Sequence, residues 1–248
     1  RKWISNASRA PALSQSSHLY IAFDTVAFSI GPLSVHWYGI MYLLAFGFFW
    51  AWGSHVARTR SWWGFKPEDV GDMLFYGMLG VVVGGRLGYV LFYGLDSLLR
   101  DPMFLFRVTE GGMSFHGGLL GVIAAMWWFG RKSGRGFWAV ADFVAPLVPI
   151  GLGLGRIGNF IGGELWAMVF ANAVQPGGWA SEELRAAWAG GALDHLARHP
   201  SQLYQALGEG LGLFIVLAIY ARHPRPTGAV AGLFLVAYGA FRFVAEFF

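Results

Sequence analysis

Long apolar runs alternate with short polar, often basic, stretches along the chain. A membrane-spanning helix needs about 20 mostly apolar residues to cross ~30 Å of hydrocarbon. The runs lack the period-two alternation of apolar and polar positions that β-barrel strands show. The pattern therefore predicts an all-α fold, a polytopic transmembrane helical bundle with six spans. These spans are predicted at Leu33–Gly53, Asp72–Tyr93, Ser114–Gly130, Trp138–Ile161, Gln202–Tyr220 and Ala229–Phe248.

The spans define one membrane domain with an outer extension. Residues 1–29 are interpreted as an N-terminal outer segment. Its first 17 residues are polar and lack the apolar core of a signal peptide. Residues 30–248 are predicted to form a single transmembrane domain, with an outer loop at about 162–200.

Composition supports the membrane class. Charged residues make up 13% of the chain and apolar residues 56%, whereas soluble domains carry about 25% charged residues. The net charge of +4 comes from basic residues in short loops, which indicates membrane lipids as partners and no nucleic acid. Cysteine is absent, which excludes disulfides, thiolate metal sites and a cysteine nucleophile. We expect neither a metal nor a cofactor.

The distribution of basic residues predicts the orientation. Short loops on one side hold eight lysines and arginines, and the positive-inside rule gives such loops most weight. The other side, without the N-terminal tail, holds four. We therefore expect the N-terminus outside and the short basic loops in the cytoplasm. The eight residues are Arg58, Arg60, Lys66, Arg131, Lys132, Arg135, Arg222 and Arg225.

Three arginines lie within or at the ends of predicted spans, all toward the outer leaflet. An ionisable residue at membrane depth costs about 2.5–3.5 kcal/mol, so it indicates function by default. Each arginine alone could extend to the headgroups, but three at one depth favour an anion or lipid site. The polar residues at this level are Arg86, Arg156, Arg242, His116, Tyr38 and Glu164.

Other acidic residues have simpler interpretations. Arg242 and Glu246 are four residues apart and can pair on one helix face. Asp72 and Asp142 lie near inner span ends, which favours capping or an interfacial position. Glu209 lies in the middle of a span, and we interpret it as an internal hydrogen-bond partner.

Glycines recur four residues apart, as in Gly80, Gly84 and Gly88 or Gly117 and Gly121. This spacing is typical of closely packed membrane helices. The pattern G-x-G-x-x-G at 153–158 lies inside an apolar span without a preceding strand, so it does not indicate dinucleotide binding. His195 and His199 lack the surroundings of a metal-binding histidine pair.

Three segments carry candidate chemistry: Gly111–Gly118, Gly155–Trp166 and His199–Tyr204. Each combines histidine, arginine or asparagine with other polar residues, and the first two are rich in glycine. Backbone N–H groups and guanidinium groups both bind phosphate oxygens well. The residues alone therefore indicate an outer-leaflet anion or lipid site.

The chain resembles the bacterial prolipoprotein diacylglyceryl transferases from about Ile30 to Phe248. The likeness includes Val35–Gly39, Gly84–Val90, the three segments above and Tyr238–Arg242, in the same order. The resemblance implies transfer of diacylglyceryl from phosphatidylglycerol to the thiol of a lipobox cysteine in a prolipoprotein. The products would be a thioether and glycerol phosphate, made at the outer leaflet of the bacterial inner (cytoplasmic) membrane.

The resemblance also implies roles for single residues. Arg156 and Asn159 match positions that bind phosphatidylglycerol, Glu164 matches the acidic member of the signature, and His116 matches the essential histidine. Tyr38, Tyr238, Arg242 and Glu246 match further positions important for activity. We expect His116, Arg156, Arg242 and Glu164 to be catalytic, and expect Arg86 with Arg156, Asn159, Tyr38, Tyr238 and Glu246 to bind substrate.

The sequence departs from the family pattern at several points. Gly162 stands where the family has asparagine, and Ala167 where it has glycine. Trp166 is followed directly by 167–170, where the family has an outward-facing loop, so the outer loop is expected to be shortened. The chain ends at Phe248, so the family's seventh span is expected to be lacking.

The implied chemistry suits these residues. A thiol has a pKa of about 8.5 and histidine of about 6.5, so His116 can serve as general base. Arginine-assisted deprotonation of the thiol is the other option, and both stay open at this point. Two alternative functions are a small-solute transporter and a non-catalytic lipid-binding protein. A transporter site would lie near the midplane between repeats, and a lipid-binding scaffold would not need His116.

Overall fold

The computed structural model describes residues 25–31, 33–107, 111–162, 181–183, 186 and 201–245. These residues are mostly helical, with one short hairpin. The strands are β1 (Val26–Ile30) and β2 (Leu33–His36), and the helices are α1 (Trp37–Thr59), α2 (Pro67–Tyr93), α3 (Leu95–Arg100), α4 (Phe115–Lys132), α5 (Phe137–Ile161), α6 (Ser201–Tyr220) and α7 (Ala229–Ala245), with single 3₁₀ turns at Ser61–Trp63 and Pro102–Phe106.

The hairpin corrects the predicted start of the first span. β1 and β2 pair antiparallel, with Ile30 opposite Leu33, and Gly31 turns the chain at a φ of +60°. The pair Gly31–Pro32 is a turn signal that the hydropathy pattern alone does not weigh. The first helix therefore begins at Trp37 instead of Leu33, and the fold is helical with a small β element.

The helices confirm a helical membrane protein. Four of them, α1, α2, α5 and α6, are long and apolar enough to cross a membrane, and α7 is a shorter apolar helix. The 18-residue α4 lies at the predicted third span. Each of the six predicted spans thus falls on a helix, although α1 and α2 extend further than predicted at the basic loop between them.

Two of the long helices are irregular. Pro146 and Pro149 interrupt α5, which contains a 3₁₀ turn at Ala145–Leu147, because proline lacks the N–H that a continuous helix needs. In α6, residues Ala206–Gly212 form a π-helix. Such π segments are rare and frequently occur at functional sites.

Glycines bring α2 and α4 into backbone contact, as their spacing predicted. A Cβ added at Gly80 would lie 2.5 Å from the carbonyl oxygen of Gly121, and one at Gly88 would lie 2.8 Å from Cα of Gly117. A larger side chain at these positions would force the two helices apart. The start of α4 is thereby held against α2.

Among the described residues, the buried core has two parts. One contains Val70, Phe129 and Phe143 from α2, α4 and α5. The other contains Leu213 and Val230 from α6 and α7. Asp142 joins them: its carboxylate accepts from the N–H groups of Gly228 at 2.5 Å and Ala231 at 2.8 Å. The predicted capping role of Asp142 is confirmed, at the start of α7.

Candidate active site

Arg156, Glu209 and Arg242 form an ionic cluster inside the helix bundle. Nη2 of Arg156 lies 3.6 Å from Oε2 of Glu209, and Nη1 of Arg242 lies 3.6 Å from Oε1 of the same carboxylate. One acid thus joins two arginines from α5 and α7. We call these three residues the Arg–Glu–Arg cluster.

Burial differs sharply within the Arg–Glu–Arg cluster. The side chain of Glu209 is 1% exposed, whereas those of Arg156 and Arg242 are 25% and 39% exposed. A buried carboxylate is stable only when opposite charges compensate it. Arg156 and Arg242 both keep an exposed part, and their guanidinium groups suit an anionic ligand.

The approach of α5 to α6 sets the first ion pair. A Cβ at Gly210 would lie 2.7 Å from Cα of Gly153, and a Cβ at Gly153 would lie 3.0 Å from Cα of Gly210. The two backbones are therefore in direct contact. Since Arg156 is almost one helical turn beyond Gly153 and Glu209 directly precedes Gly210, this contact places the guanidinium beside the carboxylate.

A second approach sets the other ion pair. Gly208 and Gly212 face the ring of Phe241, which lies 3.3 Å and 3.2 Å from the positions that their Cβ atoms would take. Arg242 follows Phe241 on α7. Glycines on both sides of Glu209 therefore let α7 come close enough for Arg242 to reach the same carboxylate. The π-helix contains all of these α6 positions.

Tyr38 lies beside the same region of α5. Its ring packs on Gly158, where an added Cβ would lie 2.8 Å from Cδ2, and its hydroxyl is 3.3 Å from that of Tyr42. A small cavity of about 230 Å³ lies here between Tyr38, His36 and Gly158. At the start of α1, Tyr38 therefore places an apolar ring against α5 and a polar hydroxyl group beside that of Tyr42.

Two other predicted residues share helices with the arginines. Asn159 is half-buried on α5, three residues beyond Arg156, a spacing that puts both on one helix face. Tyr238 is half-buried on α7, four residues before Arg242, and stacks on Phe234 with ring centroids 5.9 Å apart. Both side chains thus lie within a helical turn of the Arg–Glu–Arg cluster.

His116 lies on a different helix from the Arg–Glu–Arg cluster. It is exposed in the first turn of α4, and among the described residues its imidazole makes an edge contact with Phe115 at a centroid distance of 5.7 Å. The main packing partners of α4 are α2 and α5. Within the described chain, no contact joins His116 to either arginine of the cluster.

Arg86 is also separate from the Arg–Glu–Arg cluster. It is 3% exposed, and its guanidinium donates to backbone carbonyls of the segment between α3 and α4. The structure thus brings together two of the three predicted intramembrane arginines. Glu164, Glu246, His199 and most of the predicted outer loop at 162–200 lie outside the described residues.

Sequence reasoning did not assign Glu209 to the site. The available signal was an acid in the middle of an apolar span, flanked by Gly208 and Gly210. Such an acid indicates a functional site by default. Arg156 lies 53 positions before Glu209 in the chain, and Arg242 lies 33 positions after it. Whether the three side chains meet depends on how their helices pack, which the local sequence pattern does not give.

An apolar cavity of about 620 Å³ lies among α1, α2, α4 and α5. Phe46, Met73, Val122 and Met126 are among the lining residues, and Tyr38 lines it as well as the small cavity. The volume is within the range of pockets that bind drug-sized ligands. Among the described residues, no group of three or more His, Asp or Glu could hold a metal ion.

Comparison with known proteins identifies close relatives. Residues 25–248 match the family model described as prolipoprotein diacylglyceryl transferase. The phosphatidylglycerol–prolipoprotein diacylglyceryl transferase of Xanthomonas campestris pv. campestris is 53% identical over 235 residues, which cover 91% of this chain and 79% of the relative. The protein of the same name from Glaesserella parasuis serovar 5 is 54% identical over 230 residues, with the same coverage.

Proposed function

Since the chain belongs to the prolipoprotein diacylglyceryl transferase family, we propose that its Arg–Glu–Arg cluster binds and activates the phosphate group of phosphatidylglycerol. The chain is a transferase that moves diacylglyceryl from phosphatidylglycerol to prolipoproteins. The observation that carries the site assignment is a pair of partly exposed arginines that both contact one buried acid.

The reaction exchanges a C–O bond for a C–S bond. The thiol of the lipobox cysteine loses its proton to a base, and the thiolate attacks the diacylglyceryl carbon that carries the phosphate oxygen. The C–S bond forms as the C–O bond breaks, and glycerol phosphate leaves with the bonding electrons. Negative charge grows on the phosphate oxygen, so fixed cations beside it stabilise the transition state.

Arg156 and Arg242 supply those cations. Arginine binds phosphate in a bidentate manner through its planar N–H groups, and both side chains keep an exposed part. Glu209 holds the two guanidinium groups in place from the buried side. Asn159 and Tyr238, on the same helices, orient the headgroup, and Tyr38 contacts it from α1. Glu164, which lies outside the described residues, is proposed to orient an arginine or the histidine, and Glu246, also outside them, to bind substrate.

His116 is the proposed general base for the thiol. A base must come within hydrogen-bond reach of the proton that it takes, and such contacts often tighten only when substrate binds. The exposed position of His116 at the start of α4 leaves its imidazole accessible to a peptide substrate. Deprotonation assisted by an arginine is the alternative, and the two differ in their response to loss of His116.

We further propose that the chain spans the bacterial inner membrane six times, with the N-terminus outside and the site toward the outer leaflet. The short basic loops support this orientation. The apolar cavity of about 620 Å³ would hold acyl chains of the lipid, since it offers aliphatic and aromatic contacts between the helices.

A transfer assay tests the site. Purified chain is mixed with phosphatidylglycerol and a lipobox peptide, and both glycerol phosphate release and the peptide mass gain are measured. Arg156→Gln should lower turnover about 10²–10³-fold, as loss of a charge-stabilising donor does. Arg58→Gln is the matched control, because Arg58 is exposed in the last turn of α1, and it should keep full activity.

The same assay distinguishes deprotonation of the thiol by His116 from deprotonation assisted by an arginine. His116→Gln should lower turnover about 10²–10⁴-fold if His116 takes the proton, while membrane insertion stays intact. Full activity in His116→Gln would favour the arginine-assisted route. Full activity in Arg156→Gln would contradict phosphate activation by the Arg–Glu–Arg cluster. A folded parent chain that binds lipid without turnover would support a non-catalytic lipid-binding protein instead.

A further inference from the structure

Arg86 on α2 binds the described parts of the segment between α3 and α4, residues 101–107 and 111–114. Nε of Arg86 donates to Leu105 at 3.1 Å, Nη1 donates to Gly111 at 2.6 Å and to Gly112 at 3.3 Å, and Nη2 donates to Phe104. All four acceptors are backbone carbonyl oxygens. The guanidinium therefore joins the two described parts of this connecting segment, 101–107 and 111–114.

These bonds leave Arg86 little capacity for a ligand. A guanidinium has five N–H donors, and four interactions with carbonyls occupy all three of its nitrogens. The residue is 3% exposed, in contrast to the partly exposed arginines of the Arg–Glu–Arg cluster. The ring of Phe104 covers one face, 4.7 Å from the guanidinium carbon. A cation enclosed in this way stabilises backbone rather than receiving an anion.

The connecting segment leads directly into the helix that carries His116. The N–H of Ser114 donates to the carbonyl of Gly85 at 2.9 Å, one residue before Arg86. Ser114 caps α4, its hydroxyl accepting from the N–H of Gly117 at 3.3 Å. His116 lies between Ser114 and Gly117. The contacts of Arg86 and Gly85 thus fix the start of α4 and the position of the His116 imidazole.

We propose that Arg86 is a positioning residue for His116 and does not bind the lipid phosphate, which replaces the substrate-binding role expected from sequence. The inference rests on the proposed function, because it assigns His116 to the transfer reaction. Loss of Arg86 would release the connecting segment, displace the start of α4 and slow the chemical step. It would leave the affinity for phosphatidylglycerol nearly unchanged.

The absence of cysteine allows a direct test of the segment. Leu105→Cys introduces the only thiol of the chain at a half-buried position, and its reaction with a polar maleimide is followed in detergent. Adding Arg86→Gln should raise the labelling rate about tenfold, because local opening exposes the site. Arg100→Gln is the matched control, since Arg100 is an exposed arginine in the neighbouring α3, and it should leave the rate unchanged.

Kinetics of the cysteine-free chain test the consequence. Arg86→Gln should lower kcat at least about tenfold, with KM for phosphatidylglycerol nearly unchanged, since an interaction made only in the transition state is lost. Arg86→Lys should restore part of kcat, because an ammonium supplies three of the lost donors. A large rise in KM with an unchanged labelling rate would overturn the proposal and favour direct lipid binding by Arg86.

Gly112→Ala perturbs the same segment with Arg86 intact. Gly112 has a φ of +79°, and an added Cβ would collide with the ring of Tyr89. Added to Leu105→Cys, Gly112→Ala should raise the labelling rate as Arg86→Gln does, and in the cysteine-free chain it should lower kcat. Normal values of both would overturn the proposal, even where Arg86→Gln does not fold.

The two proposals fail in different ways. A parent chain without transfer activity would contradict the proposed function, whereas an unchanged labelling rate in Arg86→Gln would contradict the positioning role independently.

Discussion

Glu209 shows how one buried residue determines the electrostatics of the site. Its carboxylate is enclosed by protein and faces two guanidinium groups at 3.6 Å. Without the acid, two like charges would share a partly buried region, where their repulsion is stronger than in bulk water. The acid therefore permits the two arginines to approach each other. It also offsets one unit of their positive charge.

Glu209→Gln tests this role with almost no change in volume. Removing one partner of a fully buried ion pair costs about 3–5 kcal/mol. Because Arg156 and Arg242 keep contact with solvent, we expect a smaller loss of stability, about 1–3 kcal/mol, and a large loss of transfer activity. Thermal unfolding in detergent and the transfer assay measure the two effects. Glu68→Gln is the control, because Glu68 is an exposed acid in the first turn of α2, and it should change neither.

Combining Glu209→Gln with Arg242→Gln distinguishes ionic coupling from simple packing. If the acid and the arginine interact as the distances indicate, the double variant loses less stability than the sum of the single variants. Strictly additive losses would contradict an ionic role for Glu209.

At the scale of the elements, glycines decide which helices can bring functional side chains together. Gly153 and Gly210 place α5 and α6 in backbone contact, and Gly208 and Gly212 admit the ring of Phe241 from α7. Three helices thereby converge on Glu209. The π-helix at Ala206–Gly212 shifts the face on which Glu209 lies relative to a regular α-helix, since it inserts a wider turn.

Gly210→Ala and Gly153→Ala should each weaken this convergence. The added methyl group would meet backbone at 2.7 Å or 3.0 Å, which is overpacking and costs about 1–3 kcal/mol. We also expect turnover to fall, because Arg156 moves away from Glu209. The control is Gly151→Ala on α5, where a Cβ would lie 3.6 Å from that of Ala45, an ordinary contact. Equal stability and activity in all three variants would contradict the role of the backbone contact.

For the whole molecule, hydropathy predicted the helices better than their ends or their contacts. Each predicted span falls on a helix, because span length and apolar character are local properties. The hairpin before Trp37 was missed because its apolar residues continue the hydrophobic run of α1. Arg156 and Arg242 were recognised from their cost in the membrane and from the family resemblance. Their joint partner, Glu209, and the enclosure of Arg86 depend on long-range packing that no local pattern encodes.

Orientation in the membrane is a property of the whole chain, and its absence of cysteine makes orientation measurable. Ser97, on α3, and Thr227, between α6 and α7, are both exposed. Three predicted spans separate them, so they should lie on opposite sides. Thr227 neighbours the basic residues Arg222 and Arg225, which the positive-inside rule places in the cytoplasm.

We therefore expect Ser97→Cys to react with a membrane-impermeant maleimide in intact spheroplasts, and Thr227→Cys to react only after permeabilisation. The cysteine-free parent gives the background, and reaction of both variants after permeabilisation shows that both thiols are accessible. The reverse pattern would place the N-terminus and the Arg–Glu–Arg cluster toward the cytoplasm. Labelling of both sites in intact spheroplasts would mean an even number of spans between them, so α4, α5 and α6 would not all cross the membrane.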